Sequence, residues 1–191
     1  MKPPIYLDYN ATTPLDPEVI KAMQPFIQEQ FGNPSSGHWY GEKPEQAVIE
    51  ARQQVAKLVS CNTEEIVFTS GGTESNNHAI IGTALANKER GNHIITTQIE
   101  HPAVLEVCRY LGGQGFKITF LPVDDKGMVS VSDAAGAIRP ETILITVMHA
   151  NNEVGTIQPI AEIAELARQS KIIFHTDAAQ SLGKISIDVQ K

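Results

Sequence analysis

Residues Ile172 to Lys184 read IIFHTDAAQSLGK. An apolar, strand-like run ends there in Asp177, and Gln180 follows three residues later. A carboxylate beside a buried strand is costly unless a cation meets it. A protonated pyridine nitrogen suits the place: the Asp keeps it charged, and the ring then accepts electrons from a carbanion. Gln180 could reach a hydroxyl on the same ring. A capping Asp with an exposed Gln beside it uses the same two residues.

Three other stretches carry comparable groups. In SGGTESNN, Gly71 and Gly72 let an anion approach the backbone, the helix that follows offers free N–H groups, and Thr73 adds a hydroxyl. A tight turn with Thr73 or Ser75 as helix cap is the plainer alternative. The pattern is neither GxGxxG nor a P-loop. In IEHPAV, His101 follows a strand and precedes Pro102; it suits local hydrogen bonding, or stacking on an aromatic ligand and proton movement. In HANNEVG, Asn151 and Asn152 form a turn or bind a phenolic oxygen or a carboxylate. Together these groups are the equipment for pyridoxal 5'-phosphate.

The elements that must position them alternate. Helical spacing marks PEVIKAMQPFI, EQAVIEARQQVAKLV, ESNNHAIIGTALANKER, PAVLEVCRYLGG, VSDAAGAI and PIAEIAELARQ. Short apolar runs, EEIVFTS, HIITTQIE, KITFLPV, TILITVMHA and IIFHTD, read as strands. This alternation predicts an α/β fold of three αβα layers around a mostly parallel sheet. Ligands of such sheets bind beyond the carboxyl ends of the strands. Gly71–Thr73, Glu100–His101, Asn151–Glu153 and Asp177 with Gln180 should therefore share one rim.

Composition narrows the functional classes. The chain has 191 residues, 41% hydrophobic and 19% charged, as ordinary globular proteins do. A net charge of −7 disfavours nucleic acid or an anionic membrane as the main partner. No apolar run has the length of a membrane span. The two cysteines, Cys61 and Cys108, sit in no CxxC or Cys/His cluster, so no metal site is expected and the pair fits a reducing cytoplasm.

The motifs YLDYNATTPLDPEV, FGNPSSGHWYG, EEIVFTSGGTESNN, EHPAV, ANNEVGTIQPI and HTDAAQSLGK, in this order, resemble those of the NifS/IscS-type cysteine desulfurases. These are class V, fold-type-I pyridoxal phosphate enzymes. The resemblance implies the incomplete large domain of that fold over 15–191, and a segment, 1–14, that belongs to the small domain. It implies removal of sulfur from L-cysteine to give L-alanine, and a persulfide passed to an iron–sulfur scaffold or another sulfur acceptor by a cytoplasmic homodimer. Residue by residue, Gly72 and Thr73 would hold the cofactor phosphate. His101 would stack on the ring and move protons, Asn152 would lie beside cofactor and substrate, and Asp177 and Gln180 would meet the ring nitrogen and hydroxyl. Asn10, Asn33 and His38 would lie near the substrate, partly across the dimer interface.

The family pattern continues past this chain. The lysine that holds the cofactor covalently, the nucleophilic cysteine and the arginine for the substrate carboxylate all lie further on. Lys184 belongs to the LGK that closes the Asp motif, and Lys191 precedes the next strand; neither matches the cofactor lysine. Cys61 and Cys108 match packing positions. The expectation is an amino-terminal half that binds the cofactor weakly and is inactive alone. Selenocysteine lyase or another class V enzyme, a fragment that only binds or dimerises, and a nucleotide-binding doubly wound domain are the alternatives.

Overall fold

The computed structural model describes residues 3–190, so Lys191 lies outside the described residues. The chain packs as two compact units: one runs to Val67 and is rejoined from Ser186, and the other is Phe68–Ile185.

The first unit holds α1 (Pro17–Gln28) and α2 (Trp39–Val59), followed by a single 3-10 turn at Thr63–Glu65. Asp16 caps α1 by accepting from the Glu18 N–H at 2.8 Å, and Pro17 supplies the preset first-turn φ. The helix α2 starts earlier than its apolar spacing suggests and carries Pro44 inside it. Proline at that place cannot donate to the Tyr40 carbonyl one turn back. That carbonyl lies so close to Gly32 that a Cβ there would stand 1.9 Å from it, so the turn leading into α2 requires glycine.

The second unit is the α/β layer structure. Four strands, β1 (His93–Thr97), β2 (Lys117–Leu121), β3 (Thr142–Thr146) and β4 (Ile173–His175), form a wholly parallel sheet in the order β2-β1-β3-β4. Helices α3 (Gly72–Ala86), α4 (Pro102–Gly113), α5 (Val131–Ala137) and α6 (Ile160–Gln169) complete it. Side chains alternate across the strands and feed two cores. Ile94 and Leu144 pack with Ile80 and Ala84 of α3 and with Val104, Cys108 and Leu111 of α4. Ile95 and Ile145 pack on the other face with Ala134 of α5 and with Ile163 and Ala167 of α6. Helices thus cover both faces, as expected for three layers.

One expected strand is absent. EEIVFTS forms the 3-10 turn and then an extended but unladdered stretch to Ser70. Val67 and Phe68 remain exposed there, so the apolar character that suggested a strand is not matched by sheet pairing among the described residues. His93 shows how deep the sheet interior is. Its Nδ1 meets Thr142 Oγ1 at 2.7 Å and its Nε2 meets Thr119 Oγ1 at 2.8 Å, so one ring bridges three strands. Burial pushes its pKa down, as for a satisfied core histidine.

Candidate active site

The strand order places the site. From β1 the chain leaves through α4 to β2 on one side. It then returns through α5 to β3 on the other side, along the opposite face. The connections after β1 and β3 therefore diverge between neighbouring strands, which opens a crevice at the carboxyl edge. Glu100 and His101 follow β1, Asn151 and Asn152 follow β3, and Asp177 follows β4.

Asp177 is half-buried. Its Oδ2 accepts from Asn76 Nδ2 at 2.8 Å, and its Oδ1 accepts from the Ala179 N–H at 3.0 Å. The His149 N–H donates to the Asp177 carbonyl at 2.9 Å, which ties the exits of β3 and β4 together. Gln180 lies in a hydrogen-bonded turn rather than in a helix: both Ser181 and Leu182 N–H groups return to the Ala178 carbonyl. Lys184 Nζ reaches Gln180 Oε1 at 3.5 Å.

Asn76 sits on the second turn of α3, only 5% exposed. It brings Asp177 to the helix that begins at Gly72. The N-cap of that helix is Gly71, without a side-chain cap bond; neither Thr73 nor Ser75 caps it. Thr69 Oγ1 pairs instead with Ser75 Oγ at 2.6 Å, and Glu74 turns back to the Ser70 N–H and hydroxyl, both at 2.6 Å. A Cβ built on Gly71 or on Gly72 would meet nothing within 4 Å. The positive end of the helix thus faces open space.

His101 is the N-cap of α4, and its Nδ1 accepts from the Ala103 N–H at 3.1 Å. This bond fixes the tautomer: the neutral ring carries its proton on Nε2. Asn151 is spent internally, giving Nδ2 to the Ile99 carbonyl and accepting the N–H groups of Glu153 and Val154. Its neighbour Asn152 is half-exposed and donates to Glu153 Oε1 at 2.9 Å. Asn10, Asn33 and His38 belong to the first unit. There Asn33 Oδ1 accepts from the Ser35 N–H, Asn10 occupies a turn, and His38 is the extended N-cap of α2.

The sequence does not disclose Asn76, and it places Glu100 on the rim without giving it a role. Asn76 heads the buried stripe Asn76, Ile80, Ala84; extending that spacing back by one helical turn would have found it. Glu100 is only 4% exposed. Both its oxygens face the Met148 N–H, at 2.9 and 3.1 Å, and its Oε1 accepts from Thr97 Oγ1 at 2.7 Å. The residue before His101 therefore clamps the β1 exit to the β3 exit. Burial, helped by the nearby Asp177 charge, pushes its pKa up to about 7. Burial also lowers the pKa of His149 and, against the pull of Asp177, that of His175. The Cys108 thiol is pushed up to about 12 by burial and by Glu100, which leaves it inert as a nucleophile. Among the described residues, no group of three or more acidic, His or Cys side chains could hold a metal ion.

The aminotransferase class-V model matches residues 5–191. The chain belongs to that family. Over 191 residues it is 53% identical to a cysteine desulfurase IscS of Dictyoglomus turgidum, covering all of this chain and 48% of that protein. Among solved structures, a NifS-like protein superposes with a TM-score of 0.94 at 40% identity, over 98% of this chain and 52% of the other. SspA in complex with cysteine superposes with a TM-score of 0.94 at 45% identity, over 97% and 53%. The chain spans about half the length of the curated relatives it matches.

Class-V aminotransferases are pyridoxal phosphate enzymes, and the residues present fit that cofactor. The glycine-led helix start is open to an anion, and the carboxylate of Asp177 is held by two neutral donors, the Asn76 amide and the Ala179 N–H. His149 Nδ1 and Thr176 Oγ1, flanking Asp177 along the two strand exits, are buried without a hydrogen-bond partner among the described residues, as polar groups beside a ligand can be. Gly72→Ala provides a check. Its methyl group meets no protein atom, so the melting temperature should hold or rise slightly. Binding of pyridoxal phosphate should nevertheless weaken by roughly 10-fold, because the methyl group takes up space that the phosphate needs to approach the backbone. Equal affinity in dialysis against the wild type would show that the glycine start does not hold the phosphate.

Proposed function

We propose that this chain supplies the cofactor-binding half of a cysteine desulfurase that works with pyridoxal 5'-phosphate. The observation that carries the proposal is the bond from Asn76 to Asp177, which joins a ring-nitrogen partner to the helix whose first turn suits a phosphate. The cofactor, when bound, supplies an electron sink at the substrate α-carbon. Gly72 and Thr73 bind its phosphate, Asp177 holds a proton on its ring nitrogen, and Gln180 meets its hydroxyl. His101, with its proton on Nε2, lies against the ring and moves protons there. Asn152 orients cofactor and substrate. The family resemblance also gives Asn10, Asn33 and His38 to the substrate, partly across a dimer interface.

The substrate is L-cysteine, the product L-alanine, and the sulfur leaves as a persulfide for an acceptor or iron–sulfur scaffold protein. This reading follows the class-V family, the IscS relatives, and the cysteine complex of SspA. Residues 1–14 belong to a small domain and 15–191 to the cofactor domain. The enzyme is a cytoplasmic homodimer. In support of a dimer, α1 buries none of its residues and leaves Ile20, Met23, Phe26 and Ile27 exposed.

Titration with pyridoxal phosphate tests the proposal on the 191 residues themselves. The expected result is a saturable shift of the cofactor absorbance that inorganic phosphate competes away and that dialysis reverses. Non-saturable labelling of surface lysines, indifferent to phosphate, would overturn it.

A further inference from the structure

Two properties of the site depend on one helix. Its first turn, from Gly72, faces open space, and its second turn carries Asn76 against Asp177. The residues Asn76 and Asp177 are 101 positions apart in the chain, so no local turn sets their geometry. Asn76 is almost wholly buried at the head of the stripe it forms with Ile80 and Ala84, and those two residues are locked in the core against the sheet. Its amide therefore has little freedom to follow a moving carboxylate. The Ala179 N–H fixes the other carboxylate oxygen. Two donors on two oxygens hold the carboxylate plane, while each oxygen keeps acceptor capacity for a further partner.

We infer that Asn76 is a positioning residue: through its 2.8 Å bond it aims the Asp177 carboxylate at the ring nitrogen, so that α3 ties the pyridinium end of the cofactor site to the phosphate end. The rise from Gly72 to Asn76 is about 6 Å for four residues of α-helix, the scale of one pyridine ring with its phosphate arm. Asn76 touches the carboxylate and acts through it. The inference rests on the cofactor reading proposed above.

A double-mutant cycle on this chain separates the two. Dissociation constants for pyridoxal phosphate and for inorganic phosphate are measured for the wild type, Asn76→Ala, Asp177→Ala and the double variant. Asn76→Ala should weaken pyridoxal phosphate binding about 5- to 10-fold in the presence of Asp177, and by less than about 2-fold once Asp177 is gone. Phosphate affinity should stay within about 2-fold throughout. The absorbance of the bound cofactor should move toward the unprotonated ring in Asn76→Ala. Asn76→Asp, which keeps the shape but sets two carboxylates together, should give a larger loss; it replaces Asn76→Ala in the cycle if the alanine variant does not fold.

Equal losses from Asn76→Ala with and without Asp177 would overturn the inference, since they report general damage to α3. So would an unchanged affinity in Asn76→Ala beside a weakened one in Asp177→Ala. If Asp177→Ala itself leaves pyridoxal phosphate binding intact, the role given to Asp177 fails, and the role of Asn76 with it. Hydrogen exchange at the Asn76 side-chain amide reads the bond without any cofactor: protection lost in Asp177→Ala supports the coupling, and protection unaffected by that variant contradicts it.

Discussion

Asp177→Ala should weaken pyridoxal phosphate binding by about 10- to 100-fold, while inorganic phosphate still binds as before. The size follows from one hydrogen bond to a charged group, about 1.5–3 kcal/mol, converted to affinity. The selectivity follows from the layout. The phosphate end of the site is made by Gly72 and Thr73 at the start of α3, and the ring end by a carboxylate at the exit of β4. Removing the carboxylate leaves the Asn76 amide, buried on α3, without its acceptor. That costs stability on the order of 1–3 kcal/mol, partly offset by removing the like charge that Glu100 feels from Asp177. Asp177→Asn keeps the shape but loses the charge and one of the two acceptor oxygens, so it should share the loss of cofactor affinity. Fluorescence titration with the two ligands makes the comparison. If both ligands weaken in parallel, the variant has damaged the fold rather than the ring end of the site.

The second large effect concerns Glu100, and it is a matter of pH. The folded-state pKa, about 7, stands above the ordinary 4.5 of the group. Between those values the folded chain keeps a proton that the unfolded chain has released. The stabilising contribution of Glu100 is therefore fully present below pH 4.5 and is lost as the pH rises through 7. Across the whole window the loss is about 3 kcal/mol. Glu100→Gln copies the neutral acid: its oxygen still accepts from Thr97 and from the Met148 N–H, and it cannot ionise. Urea unfolding at pH 5 and pH 8 should show the variant gaining about 2.5 kcal/mol on the wild type between the two. His93, His149 and His175 have lowered pKa values and contribute the opposite slope, but they do so in both proteins and cancel in the difference. Parallel pH profiles would show that Glu100 titrates as an ordinary surface carboxylate.

Much of this arrangement can be read from the sequence, for identifiable reasons. The helices α4, α5 and α6 and the four strands carry period and punctuation that agree: Pro102 opens α4 where its spacing begins, and the run TILIT is apolar because both faces of β3 are covered. The rim follows from strand-end position for His101, Asn152 and Asp177, which come after β1, β3 and β4. The stretch before Gly71 is not legible in this way, because β-rich composition does not create a pairing partner, and residues 66–70 join no ladder. Asn76 and the clamping role of Glu100 are hidden for a different reason. A polar residue looks solvent-facing until its distant partner is known, and those partners, Asp177 and the Met148 N–H, lie 101 and 48 positions away. What the spacing of Ile80 and Ala84 does disclose is that position 76 points inward.

The ring nitrogen itself gives the most direct test of a carboxylate acting as counter-ion. Pyridoxal phosphate labelled with nitrogen-15 in the ring, bound to this chain and observed by NMR at neutral pH, should resonate as a protonated pyridinium. In Asp177→Ala the same signal should move to the unprotonated position. An unprotonated ring in the wild type, or a protonated one that persists without Asp177, would contradict the role assigned to that carboxylate.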